Sequence, residues 1–100
     1  MKLKSLRPAN DNIHKYVAVI EKDDGSTKTV RFGAKGMTDF TKARVNGKPD
    51  EARKQRYLDR HRDREDWNDI TTAGAWSRWL LWNKPTIRES LEDLKTRFGL

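Results

Sequence analysis

The stretch that most constrains this chain is AGAWSRWLLW, residues 73–82, in which only Ser77 and Arg78 interrupt the apolar run. A helix that is apolar nearly all round normally sits at the centre of a fold. The segment therefore predicts a central helix, capped by Thr71 or Thr72, that the rest of the chain must cover. Charged residues make up 37% of the sequence and apolar ones 34%, a balance that leans toward disorder unless large anchors are present. Four Trp, three Phe and two Tyr supply those anchors, and 100 residues suffice for one small core.

The other elements are read from periodicity. From Ile13 onward Tyr16, Ala18 and Ile20 alternate with Val17, Val19 and Glu21, which predicts a strand. KDDGS follows, with Asp24-Gly25 suited to a hairpin turn. TKTVRFG then gives a second strand with Val30 and Phe32 on one face and Thr29 and Arg31 on the other. Two strands alone are marginal in water, so helices must cover the hairpin. Residues 33–49 hold three Gly and a Pro and predict a basic loop pinned by Met37 and Phe40. A first helix is expected over residues 50–66, started by Pro49 and Asp50. In the last one, Thr86 and Glu89 form a T-x-x-E capping box ahead of Ile87, Leu91, Leu94 and Phe98, and Gly99 ends it. Residues 1–12 show no periodicity and are expected to be a flexible basic arm carrying Lys2, Lys4 and Arg7. The fold class is α+β: an N-terminal β-hairpin packed on a three-helix cluster, as one domain over residues 13–100.

Several functions are excluded early. Without cysteine there are no disulfides and no thiolate chemistry. Two isolated histidines, His14 and His61, are too few for a zinc site made by the protein alone, so neither metal nor cofactor is expected. There is no G-x-S-x-G, Walker loop or H-E-x-x-H sequence, and the chain does not read as an enzyme. No apolar run reaches membrane-spanning length and the N-terminus lacks a signal-peptide core. A soluble, unprocessed protein is expected, intracellular or in a virion and not secreted.

Net charge is +7, and residues 1–49 carry eleven basic and five acidic side chains while residues 50–100 carry eleven and ten. The positive field thus belongs to the N-terminal half. RKQRYLDRHRDRED, residues 53–66, holds six Lys or Arg and four acids, nearly neutral by count. On a helix, however, Arg60 and Arg64 fall within about 20° of Arg53, and Arg56 within about 60°. Asp59, Asp63 and Asp66 gather about 220–280° round, leaving Tyr57, Leu58 and His61 as the inward face. Two readings follow: a salt-bridged solvated helix, or an arginine stripe laid along phosphates. FGAKG is similar to the glycine-flanked loop of KH domains, but it follows a strand instead of joining two helices. It still lets the backbone approach a phosphate near Arg31, Lys35, Lys42 and Arg44. Trp76, Trp79 and Trp82 read as core packing, with Trp82 or Trp67 the indole expected to be partly exposed.

TVRFGAKGMTDFT together with RKQRYLDRHRDREDWNDITTAGAWSRWLLWNKPTIRESLEDLKTRF resembles a family of small uncharacterised proteins encoded mainly by large double-stranded DNA viruses, including algal viruses and mimivirus relatives. The resemblance spans roughly residues 16–98, and the chain departs from it between Thr41 and Arg53. It implies a viral or phage setting and one continuous domain, and it transfers no catalytic residue.

The function expected from these features is that of a small basic viral protein. It would bind nucleic acid, DNA or RNA, through backbone phosphates without sequence preference. Arg31, Lys35, Lys42, Arg44, Arg53, Arg60 and Arg64 are the expected contacts. Two alternatives carry the same charge: a minor capsid- or portal-associated virion protein meeting an acidic protein surface, with Trp67 or Trp82 as anchor, and an inhibitor of a host nucleic-acid enzyme.

Overall fold

In a computed structural model describing residues 1–100, the N-terminal half is an antiparallel sheet in the order β1-β2-β3. Its strands are β1 (Lys2–Pro8), β2 (His14–Glu21) and β3 (Thr27–Ala34). The β2–β3 hairpin turns at Gly25, whose φ of 86° is open only to glycine at little cost. Asp24 accepts from the Ser26 amide and hydroxyl within that turn. In register, Tyr16 faces Phe32 and Ala18 faces Val30, so the inward face is the one expected from the alternation.

The expected flexible arm is instead the edge strand β1, and the reason lies in a bulge. Leu3 pairs with Ile20, and the register then shifts so that Leu6 pairs with Ala18. The extra residue resets the alternation and puts Leu3 and Leu6 on the same core face despite their odd spacing. Both pack against the core cluster. Pro8 sits at the end of this edge strand, where no ladder donor is required.

Within residues 33–49 a small hairpin forms from β4 (Arg44–Val45) and β5 (Lys48–Pro49). Asn46 and Gly47 both have positive φ, 53° and 78°, the demand of a tight I′-type turn that Asn-Gly meets. Of the two expected anchors, Phe40 is 1% exposed, whereas Met37 is 63% exposed.

Helix α1 (Glu51–His61) is N-capped by Asp50, which accepts from the Arg53 amide. It stops at His61 and tightens into a 3-10 turn over Arg62–Arg64, short of the residue 66 expected. Tyr57 and Leu58 are buried, as the inward face predicts. Helix α2 (Ala73–Trp76) is capped by Thr72 and widens into a π turn, Ser77–Leu81, closed by the Trp82 amide on the Ser77 carbonyl. Trp76 is fully buried and its ring meets Phe32 at 5.4 Å, joining helix to sheet. Trp82 is buried as well, while Trp67 and Trp79 pack only partly buried against the core. Helix α3 (Ile87–Phe98) starts on the Thr86 cap, whose hydroxyl accepts from the Glu89 amide and donates to its carboxylate. It ends at Gly99 with φ 67°. The fold is α+β, a three-stranded sheet covered by a helical cluster, and no helix is long and apolar enough to cross a membrane.

Candidate functional site

Residues 37–39 form a wall between two clefts. The first, about 390 Å³, lies between the end of β3, the C-terminal end of α1 and the start of α2. The second, about 430 Å³, lies between the ends of β1 and β2 and the loop that follows β3. Lys15, Met37, Thr38 and Asp39 border both.

The wall is held by one ion pair. Lys15 Nζ lies 2.6 Å from Asp39 Oδ2, with the two side chains only 15% and 4% exposed. The other carboxylate oxygen of Asp39 accepts from the Thr41 amide and hydroxyl, and the Asp39 carbonyl accepts from the Lys42 and Ala43 amides. A buried carboxylate so surrounded fixes the backbone from residue 39 to residue 43. Just before the wall, Gly36 turns with φ 87° in open space. Gly33 is required twice over, by its φ of 76° and because a Cβ there would meet Leu81 Cδ1 at 2.8 Å.

The first cleft has an aromatic wall. Tyr57 is sandwiched between His61 and Trp82, each ring centroid 4.2 Å from its own. Burial, followed by the nearby Glu65 charge, pushes the Tyr57 hydroxyl well above the usual phenol range. Glu65 orients the imidazole, its Oε2 lying 3.3 Å from His61 Nδ1 while Oε1 accepts from the Trp67 indole. Gly74 is what admits Glu65, because a Cβ there would stand 2.8 Å from its Cδ.

The expected basic contacts divide among these features. Lys35 and Lys42 line the second cleft, whose one acid, Asp39, is neutralised by Lys15. Arg31 joins Lys35 at residue 11: its guanidinium reaches the Asp11 carboxylate at 3.2 Å, and Lys35 Nζ reaches the Asp11 carbonyl at 2.6 Å. The His14 and Ile13 amides, and the His14 ring, hold the Asp11 carboxyl far below the usual range. Arg60 lines the first cleft, across the wall. Arg64 folds back and donates twice to the Arg60 carbonyl, because the chain past His61 is no longer α-helical. Arg53, half-buried in the first turn of α1, borders neither cleft. Arg44 donates to the carbonyls of Phe40, Thr41, Ala43 and Pro85, and so ties the small hairpin to the loop before α3.

Along α1, Arg62 and Asp59, 3.8 Å apart and both more than half exposed, form the ion pair of RKQRYLDRHRDRED that joins arginine to acid. Arg53, Arg56 and Arg60 are left unpaired, so a ladder of compensating pairs does not form. The residues that sequence reasoning missed are Lys15 and Asp39; Glu65 is readable beside His61 at spacing four, and Trp82 as a core or anchor indole. Asp39-Phe40-Thr41 did carry a signal, the Asp-x-Thr spacing of an Asx turn that recurs at Asp69-Ile70-Thr71. Lys15 gave none, since its partner Asp39 lies 24 residues away on the loop after β3.

Residues 4–61 match a described protein family, the Family of unknown function (DUF5754). The chain belongs to this family. The matched stretch holds β1 to α1, which includes every residue lining the second cleft, and Arg60. No curated protein and no solved structure matches the chain.

Proposed function

We propose that this member of DUF5754 binds nucleic acid through backbone phosphates, without sequence preference, along the cleft bordered by Lys35 and Lys42. The observation that carries this reading is the charge of that cleft. Its single carboxylate is paired to Lys15 and nine-tenths covered, so no acid of the cleft compensates the two outer lysines, both exposed. Lys42 Nζ has no hydrogen-bond or ion-pair partner at all. Arg31, ion-paired with Asp11, lies beside Lys35, and Arg60 extends the positive surface past residues 37–39. Such contacts set affinity by releasing counterions from the phosphates. Arg44, Arg53 and Arg64 are not part of this surface as proposed, because none of them lines either cleft.

The viral setting implied by the resemblance, inside a host cell or in the virion, suits such a role and belongs to the proposal. The test is a mobility-shift titration at low salt with two oligonucleotides of unrelated sequence. Comparable binding of both supports the reading. Failure to shift either one, or binding that ignores salt, removes it.

A further inference from the structure

We infer that the first cleft receives an unpaired base from the strand whose phosphates occupy the second, so that the preferred partner is single-stranded. The inference rests on the nucleic-acid reading and deepens it.

Three observations converge. The clefts are neighbours that share Lys15, Met37, Thr38 and Asp39 in their lining, so a strand lying in one is within reach of the other. Beyond that wall the chemistry changes from lysines to aromatic and apolar surface. The stack His61–Tyr57–Trp82 ends in His61, whose side chain is 32% exposed, and the ring offers a face on which a base can stack. At the rim Met37 is 63% exposed, and an unbranched thioether adapts to a planar ring. The Thr38 and Ser77 hydroxyls and the Glu65 carboxylate line the same cleft and supply polar groups that can orient a ligand beside its aromatic wall. Arg60 stands in the same cleft, placed for the phosphate that follows the inserted base. A volume of about 390 Å³ is ample for one base and falls in the ordinary range for ligand sites, about 300–1,000 Å³. A duplex keeps its bases stacked and would have to unpair one to fill the cleft.

The test compares a fluorescein-labelled dodecamer of thymidylate with a labelled duplex of equal length, by anisotropy at matched salt. The variants are His61→Ala, Met37→Ser, and the pair Lys35→Glu with Lys42→Glu. The expected result is at least tenfold tighter binding of the single strand by the native protein. Met37→Ser and His61→Ala should each weaken single-strand binding by about five- to a hundredfold, the span of one base stack. Neither should change the salt dependence. Met37 is exposed enough that its replacement does not threaten folding. Equal affinity for both probes, or normal single-strand binding by Met37→Ser and His61→Ala, overturns the base site. The phosphate reading survives that outcome if Lys35→Glu with Lys42→Glu still abolishes binding. Absence of binding to either probe overturns both.

Discussion

Replacing Asp39 by Ala tests the wall on which both clefts depend. In the native protein Lys15 Nζ is 2.6 Å from Asp39 Oδ2, and both side chains are largely withdrawn from water. Removing the carboxylate leaves an ammonium group in a site built for a pair, and breaking a buried pair costs about 3–5 kcal/mol. Loss of the hydrogen bond from the Thr41 amide adds about 1 kcal/mol. The sum, roughly 4–6 kcal/mol, is a large share of the ~5–15 kcal/mol that holds a domain of this size together. Urea denaturation followed by tryptophan fluorescence should show the midpoint falling steeply at an unchanged slope. A second substitution, Lys15→Met, removes the stranded charge and should recover much of the loss. A cost below about 1 kcal/mol for Asp39→Ala, or no recovery in the double variant, would refute the reasoning: the pair would then be no stronger than one in water.

Two further outcomes follow from the same structure. Leu94 is fully buried whereas Leu91 is partly so, hence Leu94→Ala should cost roughly 2–5 kcal/mol and Leu91→Ala distinctly less, as measured by chemical denaturation. On acidification, Asp93 matters because the Asn83 amide, and then the Arg97 charge, hold its carboxyl below the usual range. A depressed folded-state value gives stability that is present above the unfolded value, near 4, and is lost as pH falls toward the folded one. Melting temperature should therefore drop between about pH 5 and 2, and drop less steeply in Asp93→Asn; parallel curves for the two proteins would show that Asp93 carries no such linkage.

How much of this was legible depended on whether a feature was local. The β2–β3 hairpin, the Asp50 and Thr86 caps and the Gly99 stop are written in neighbouring residues, and a reader of the sequence finds them. Strand β1 was hidden because its bulge breaks the period-two pattern at Lys4, and only the partner strand shows that Leu3 and Leu6 face the same way. Asn46-Gly47 was readable as a tight turn, but two-residue strands on either side are too short to show alternation. The π turn after Trp76 leaves no compositional trace. In the site, the inward face of α1 is as expected for Tyr57 and Leu58, with His61 partly exposed, yet the second half of the stack on Tyr57 comes from Trp82, 25 residues on, just past the π turn. Arg53, Arg56 and Arg60 lie on α1, whereas Arg64 lies past its end and folds back onto the Arg60 carbonyl. Arg44 donates to four carbonyls, a use that its neighbours in sequence do not reveal.

The central claim, that Lys35 and Lys42 bind phosphates, is tested most directly by the salt dependence of binding. Affinity for a labelled oligonucleotide would be measured by anisotropy between 50 and 200 mM salt, about the range in which phosphate contacts report themselves. The proteins compared are the native chain, the variant with Lys35→Gln and Lys42→Gln, and Arg88→Gln, a control on the outer surface of α3 where the side chain is 90% exposed. A negative log–log slope is expected, shallower by roughly 1.4–1.8 in the double variant, about 0.7–0.9 for each phosphate that is no longer neutralised, and unchanged in the control. A slope the double variant shares with the native protein would contradict the claim.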